Sequence, residues 1–388
     1  MKQQNKPQKA NVLALSTAHF FHDVYTAFLA PILPLLIDKL GINLFQAGIL
    51  SVFQRIPTLF NPLIGILAER VQARYFIILT PAITAMSMSL IGIAPNFTVL
   101  AIVMLVSGFS SAFFHVPSPV MIRKVSGDRL GMGMSFFMVG GELARTAGPI
   151  AILAAVSFWG LEGSWKLMPV GILASIFLFY RLKDIEIRKD FQQRQIKTNY
   201  FQVLRSLLPM FISLSGFTFM FGAIKSSLTL YLPTYLSGEG YSIWIAGASL
   251  SILQAAGVAG TLISGPLADK IGNRKVLRIV AVSTPILMAL FTLLDPVYAI
   301  PVLFIMGVFL FAPNPILLAV VNNTDGPNKT FINGIYFTIN FLLNAVMIMI
   351  MGFIADRIGL AMTYKISVLG GIAAIPFIWS MKKGSYAE

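Results

Sequence analysis

Apolar side chains occur in long runs along this chain, and short polar stretches separate the runs. A helix needs roughly 20 apolar residues to cross a bilayer, and twelve runs reach or approach that length. They cover residues 12–37, 43–68, 75–94, 98–121, 132–157, 164–181, 207–236, 243–268, 276–294, 297–321, 331–355 and 362–381. The pattern therefore predicts an all-α membrane protein with twelve transmembrane helices.

The composition agrees with this prediction. Hydrophobic residues make up 56% of the 388 residues and charged residues 11%, with a mean hydropathy of +0.79. A soluble protein of this size could not bury so much apolar surface. The chain has no cysteine, which excludes disulfides, thiolate metal sites and cysteine nucleophiles. Lysines precede the first run as in a signal peptide, but the run is too long and contains an acid, so we interpret it as a retained span.

The net charge of +14 is explained by topology. An even number of spans places both termini on one side, and most of the 29 Lys and Arg residues fall in loops on that side. Because cytoplasmic loops carry an excess of basic residues, we expect both termini in the cytoplasm. The basic residues then give no support to a nucleic-acid partner.

One long hydrophilic segment divides the spans into two groups of six. The predicted domains are an N-terminal bundle at residues 1–181, a cytoplasmic linker at 182–206 and a C-terminal bundle at 207–388. The halves repeat each other, because Gln54 and Gln254, like Gly65 and Gly265, stand at matching positions. Internal repetition over six spans is typical of transporters built from two pseudo-symmetric bundles with a site between them.

The turn after the second span of each half carries a glycine followed by an acid and basic residues. These candidate gate loops contain Gly65, Glu69, Arg70 and Arg74, and then Gly265, Asp269, Lys270 and Arg274. A glycine lets helices approach closely, and an acid can meet a helix N-terminus in one conformation only. An ordinary charged loop is the alternative. A similar string containing Gly352 and Asp356 falls on the opposite side of the predicted membrane.

Ionisable residues also lie inside predicted spans, where a charge costs roughly 2.5 to 3.5 kcal/mol and usually faces a bundle interior or a wet cavity. They are His19, His22, Asp23, Arg55, His115, Glu142, Arg145 and Lys225. The three permanent cations outnumber the two carboxylates, and this excess suits a substrate with negative charge.

The first span carries the candidates for proton coupling. His19, His22 and Asp23 project from one helix face, so Asp23 can take up a proton that the two imidazoles relay. Glu142 on the fifth span is a further candidate. Protonation of Asp23 would free Arg55 or Arg145 from an internal ion pair, which is a minimal antiport scheme. A buried aspartate satisfied by a neighbouring helix is the structural alternative.

The remaining polar residues of the spans are candidates for substrate binding. They are Gln54, Arg55, His115, Arg145, Lys225, Gln254, Asn314, Asn340 and Asn344. Each has a structural alternative. Arg145 and Glu142 can neutralise each other, Arg55 can pair with Asp23 or Glu142, Lys225 can reach the outer interface, and asparagines can join helices.

The motifs resemble those of known families. The gate-loop strings are similar to the signature of the major facilitator superfamily between helices 2 and 3. The chain also resembles the fosmidomycin resistance proteins. The residues that carry this resemblance are His19 and Asp23, Phe45-Gln46 with Gly48, Phe53-Gln54, Phe114-His115, Val139-Gly140-Gly141 and Gly148-Pro149. The resemblance implies a monomer in the inner membrane that exports a small, often anionic compound by alternating access, driven by proton entry.

Other functions remain open at this point. The same architecture could take up an organic anion as a symporter or uniporter, or form a channel. An intramembrane enzyme lacks a motif, since Gly108-Phe109-Ser110-Ser111 reads as small-residue packing, and no glycine-lysine loop for ATP occurs. We therefore predict a transporter that has no catalytic residues, no cofactor and no metal, and whose partners are a small-molecule substrate, protons and lipids.

Overall fold

The computed structural model describes residues 8–127, 129–185, 200–295, 298–322 and 329–381. The first half contains the α-helices α1 Lys9–Thr26, α2 Leu29–Leu40, α3 Leu44–Arg55, α4 Asn61–Arg70, α5 Arg74–Ser89, α6 Phe97–His115, α7 Ser118–Ser126, α8 Leu130–Trp159 and α9 Met168–Leu182. The second half contains α10 Tyr200–Leu230, α11 Leu232–Gly238, α12 Ile243–Ile271, α13 Asn273–Leu293, α14 Ile300–Phe311, α15 Pro313–Asn322, α16 Lys329–Ile358 and α17 Leu360–Trp379. Short 3-10 helices occupy Ile56–Phe60, Ile91–Ile93 and Glu162–Leu167.

The twelve predicted spans are confirmed within the described residues. Twelve helical segments there are long and apolar enough to cross a membrane. The first runs from Lys9 to Leu40, the eighth from Ile243 to Ile271 and the last from Leu360 to Trp379. The protein is a multi-pass membrane protein.

Several spans consist of two helices, and proline explains the breaks. Pro31 lacks the N–H that would bond to the Ala27 carbonyl, and α1 ends at Thr26 before α2 begins. Pro57 lies in the 3-10 helix between α3 and α4. A further break occurs at Pro117, since α6 ends at His115 and α7 begins at Ser118. Prolines therefore interrupt the helices of the first half beside its polar residues.

Contacts divide the chain into two compact units. The first unit comprises Met1–Ile42 and Leu50–Arg194, and the second comprises Asn43–Ile49 and Gln195–Glu388. Part of the predicted linker, residues 186–199, lies outside the described residues, so the linker stays a prediction. In the first unit α1 packs along α8, and in the second α10 packs along α16 and α17. The unexpected feature is the segment 43–49, which comes from the first half of the sequence.

Candidate functional site

The polar face of α1 lies against α8 because two glycines remove the obstacle of a side chain. A Cβ atom added at Gly140 would come within 2.2 Å of the Ser16 carbonyl oxygen. One added at Gly141 would come within 2.4 Å of the His19 ring. Farther along α8, a Cβ atom at Gly148 would lie 2.7 Å from the Val24 carbonyl oxygen. The small residues of α8 thus position His19 and its neighbours.

Asp23 is the centre of a cluster of three histidines, which we call the Asp23 cluster. Its Oδ2 atom lies 3.2 Å from His19 Nε2. Its Oδ1 atom lies 2.8 Å from His22 Nδ1 and 3.2 Å from His115 Nε2. His19, His22 and Asp23 are buried, whereas the His115 side chain is 39% exposed. The structure brings these four predicted residues together, and His115 is the partly exposed member of the cluster.

The hydrogen bond of His19 fixes which ring nitrogen faces Asp23. His19 Nδ1 lies 2.7 Å from the Phe137 carbonyl oxygen, which only accepts, so Nδ1 carries the hydrogen. His19 Nε2 is buried without a hydrogen-bond partner and lies 3.2 Å from Asp23 Oδ2. A polar atom that is buried without a partner is costly, and a proton shared with Asp23 would satisfy it.

Aromatic rings enclose this cluster. The His22 ring is stacked on Phe114 at a centroid distance of 4.4 Å, and the His19 ring is stacked on Phe137 at 4.1 Å. Both phenylalanines belong to a buried apolar core. His22 Nε2 is buried without a hydrogen-bond partner, which fits a neutral ring with its hydrogen on Nδ1. Sequence reasoning missed Phe137 as part of the site, although it lies in the run just before the glycine pair.

The Asp23 cluster is also the place where a metal ion would fit. One ligand atom each from His19, Asp23 and His115 lies within 4.8 Å of the others. Among the described residues, this is the group with such spacing. The other ring nitrogen of His19, Nδ1, bonds to the Phe137 carbonyl oxygen, as is usual around metal-bound histidines. The prediction that the protein needs no metal stays a prediction.

The two candidate arginines, Arg55 and Arg145, form no ion pair with Asp23 in the described structure. Arg145 Nη1 lies 2.8 Å from Glu142 Oε1, so the alternative that these two neutralise each other is confirmed. Arg55 is exposed, and no carboxylate among the described residues forms an ion pair with it. The expectation that Asp23 competes for these cations is therefore wrong in this structure, because histidines occupy its oxygens.

Gln54 links α3 to α1 beside the cluster. Its Nε2 atom donates to the Thr26 carbonyl oxygen at 3.1 Å, and the Thr26 hydroxyl donates to the Asp23 carbonyl oxygen at 2.8 Å. A Cβ atom at Gly108 would lie 2.3 Å from the Gln54 carbonyl oxygen, which confirms the packing role of the small residues around Gly108. Two hydrogen bonds through Thr26 thus connect the main-chain carbonyl of Asp23 with Gln54, the residue before Arg55.

The candidate binding residues of the second unit are amides and one lysine. Lys225 Nζ donates to Asn314 Oδ1 at 3.2 Å and lies 5.6 Å from the Phe311 ring centroid. On α16, Asn344 Nδ2 donates to Asn340 Oδ1 at 2.8 Å. The two asparagines therefore bond within one helix and do not join two helices.

Tyr336 and Gln254 are two further polar residues in the spans of this unit. Asn340 Nδ2 lies 3.4 Å from the Tyr336 hydroxyl, a partner that the sequence did not single out although it stands one helical turn before Asn340. Gln254 is half-buried and forms no hydrogen bond with the residues that the structure describes. Its amide is therefore available to a ligand.

The gate loops are less engaged than the sequence predicted. A Cβ atom at Gly65 or Gly265 would meet nothing within 4 Å, so the expectation of close helix contact at these glycines is wrong here. Asp269 and Lys270 are exposed, and Asp269 has no ion pair among the described residues. The side chains of Glu69 and Arg70 lie outside the described part of the structure.

The arginines of these loops bond locally. Arg74 Nη2 donates to Gln72 Oε1, and Arg274 Nη2 donates to the Trp379 carbonyl oxygen at 2.8 Å. Neither guanidinium group meets an acid of its own loop among the described residues. Within the described residues, the gate loops are therefore not held by the contacts that their motif suggests.

Comparisons with known proteins agree with this architecture. The family model described as Major Facilitator Superfamily matches residues 15–343. The fosmidomycin resistance protein of Escherichia coli (strain K12) is 24% identical over 91% of this chain and 88% of its own length. The multidrug resistance protein MdtG of Salmonella arizonae is 22% identical over 72% of each chain. A crystal structure of the nucleoside transporter NupG matches 97% of this chain and 100% of its own, with a TM-score of 0.76 at 15% identity.

Proposed function

Because the chain belongs to the Major Facilitator Superfamily, we propose that it is a secondary active transporter that exports a small anionic compound in exchange for protons. It acts by alternating access as a monomer in the bacterial inner membrane, with both termini in the cytoplasm. The observation that supports proton coupling is the buried Asp23 carboxylate, whose oxygens lie within 3.2 Å of three histidines, because histidine gains and loses its proton near neutral pH. The names of its relatives, which include drug-resistance proteins, support export.

The anionic substrate is inferred from the cations of the first unit. Arg55 is a permanent cation near the middle of a span, and it is exposed and unpaired among the described residues. An unpaired cation within a span is costly, and a bound anion lowers that cost. Arg145 is paired with Glu142, so a phosphonate or carboxylate can also compete with Glu142 for that guanidinium group.

Gln54 provides the link that exchange requires. While the Asp23 cluster holds its proton, the Gln54 amide is tied to Thr26. When the proton leaves, the facing lone pairs of His19 and Asp23 repel each other and α1 shifts, which releases the amide. The free amide then donates to an anion beside Arg55. The proton and the anion thus favour opposite positions of Gln54, and this competition is the basis of antiport.

The second unit supplies polar contacts, and none of the acids that the structure describes there is buried. Lys225, Asn314, Asn340 and Asn344 and the free amide of Gln254 bind the uncharged polar parts of the substrate in this proposal. The gate loops around Glu69 and Asp269 close the cytoplasmic side in the opposite conformation.

A symporter for anion uptake is the second candidate, and one observation favours it. The Asp23 cluster belongs to the first unit, as do the two arginines Arg55 and Arg145. A proton added to this unit attracts an anion electrostatically. Direct attraction favours binding together, as in a symporter, whereas the Gln54 link favours exchange. The direction of gradient-driven transport decides between them.

The test uses purified protein in liposomes loaded with fosmidomycin, the phosphonate named by one relative. Acidifying the outside should accelerate release if the protein exchanges protons for the anion. Accumulation of externally added fosmidomycin under the same gradient would identify a symporter. Transport of tetraphenylphosphonium, a lipophilic cation, in place of every phosphonate tested would contradict the anion assignment.

Proton coupling is tested by Asp23→Asn in the same liposomes. The variant should still exchange labelled fosmidomycin across the membrane but should lose acceleration by the gradient. Asp38→Asn is the matched control, because Asp38 is exposed and lies outside the cluster. Gradient-driven release by Asp23→Asn at the wild-type rate would remove this residue from coupling.

A further inference from the structure

The N-terminus of α3 is held by an acid that is remote in sequence. Asp356, near the end of α16, accepts hydrogen bonds from two successive backbone N–H groups of α3. The Leu44 N–H donates to Oδ1 at 2.8 Å, and the Phe45 N–H donates to Oδ2 at 2.9 Å. A carboxylate at a helix N-terminus also interacts favourably with the helix dipole. This contact joins parts of the chain that are separated by more than 300 positions.

Local residues cap the rest of this helix end. Asn43 Oδ1 accepts from the Gln46 N–H at 2.8 Å, and Gln46 Oε1 accepts from the Asn43 N–H at 3.0 Å. This reciprocal arrangement is a capping box, which leaves the next two N–H groups of the first turn without a partner. Asp356 binds those two groups. The helix can therefore form without Asp356, and the remote carboxylate is free to act as a removable contact.

Tyr231 lies beside this contact in a notch made by two glycines. Its fully buried hydroxyl group lies 3.1 Å from both the Leu44 and the Ile348 carbonyl oxygens. A Cβ atom at Gly48 would come within 2.8 Å of that hydroxyl, and one at Gly352 within 2.6 Å. Only glycine at both positions leaves room for the tyrosine. The hydroxyl has one hydrogen, so it can donate to the Leu44 carbonyl of α3 or to the Ile348 carbonyl of α16.

These contacts explain why residues 43–49 pack as part of the second unit, although the rest of α3 belongs to the first. We call this contact the Asp356 joint: Asn43–Ile49, Tyr231, Gly352 and Asp356. The predicted topology places it on the outer side. The gate loops on the cytoplasmic side contain the same residue types, yet Gly65 and Gly265 face open space.

We propose that the Asp356 joint is the outer latch of the transport cycle. Its closed form is the one described here, and each opening toward the outside requires Asp356 to release the Leu44 and Phe45 N–H groups and Tyr231 to release the Leu44 carbonyl group. Residues 43–49 then leave the second unit and move with the rest of α3. The inference rests on the proposed transport function, but it concerns conformation and needs neither proton coupling nor an anion.

A single cysteine can report opening of the joint, because the chain has none of its own. Ala47 is fully buried, so Ala47→Cys should react slowly with a water-soluble maleimide in the purified full-length protein without substrate. Adding Asp356→Asn should speed labelling by about tenfold, since one charged helix cap is removed. Tyr231→Phe should speed it by a smaller factor, because a neutral hydrogen bond is lost.

Asp38→Asn in the same cysteine background is the matched control, and its labelling rate should equal that of the parent. An Asp356→Asn protein that labels at the parent rate would overturn the latch. If this variant does not purify as a monodisperse protein, Tyr231→Phe decides the question, and an unchanged rate there overturns the proposal. Failure of proton-driven export in liposomes would contradict the proposed function and leave the labelling result unaffected.

Discussion

The two units arise from related halves of one sequence, but they hold their polar residues in different ways. In the first unit Asp23 is buried among three histidines that come from two helices. In the second unit the described acids lie at or near helix ends, namely Glu239, Asp269, Asp295 and Asp356. The candidate binding residues of its spans are amides and one lysine.

The difference shows where sensitivity to substitution should lie. Tertiary contacts assemble the Asp23 cluster, so removing one member leaves buried partners unsatisfied. The Asn340–Asn344 contact of the second unit forms within a single helix, so its loss disturbs little else. The first unit should therefore tolerate far less change at its polar positions than the second.

The largest expected effect follows from His19→Leu. The substitution removes the partner of a buried carboxylate and the donor to the Phe137 carbonyl oxygen, and breaking a buried pair costs about 3 to 5 kcal/mol. We expect a clear fall in the thermal midpoint of the purified protein and a flatter pH dependence of export. His115→Leu is the control, because its side chain is 39% exposed, and equal losses for both variants would contradict a dry cluster.

Arg55→Gln should have the next largest effect, and on affinity more than on stability. A hydrogen bond to a charged group contributes about 1.5 to 3 kcal/mol, so the affinity for a phosphonate should fall by about 10-fold to 100-fold. The measurement is the concentration dependence of transport in liposomes. Arg181→Gln, at an exposed position, should leave that dependence unchanged, and a similar loss in this control would refute the specific role of Arg55.

A pair of glycine substitutions compares helix packing in the two units. Gly140→Ala forces a Cβ atom toward the backbone of Ser16, and such overpacking costs about 1 to 3 kcal/mol. Gly265→Ala meets open space and should stabilise its helix by about 0.5 to 1 kcal/mol. Thermal unfolding in detergent measures both changes, and a destabilised Gly265→Ala protein would show that the gate loop is closed in solution.

The smallest effect is expected for Asn344→Ala. The variant loses hydrogen bonds to Asn340, each contributing about 0.5 to 1.5 kcal/mol, and the affinity for the substrate should fall by less than about tenfold. The same transport assay measures it. A larger loss than that of Arg55→Gln would reverse the assignment of the anion site to the first unit.

Hydrophobic patterning alone was sufficient for the spans and their class. Bilayer thickness sets the length of an apolar run, so the predicted span 243–268 is found as Ile243–Ile271. The spacing of His19 and Asp23 on one helix face was also sufficient to place them together, because helical geometry is local. The break of the fourth span at Pro117 also has a local cause, since a missing N–H acts on its own helix.

Contacts between helices could not be read in this way. The sequence offered two arginines as candidate partners of Asp23, but three histidines contact it in the structure. The glycines of α8 let α1 pack closely, and α6 places His115 beside Asp23. The string at Asp356 looked like a copy of the gate motif on the wrong side, yet it forms the engaged contact. Pairing across hundreds of residues depends on which helix ends meet in space, and no local pattern encodes that meeting.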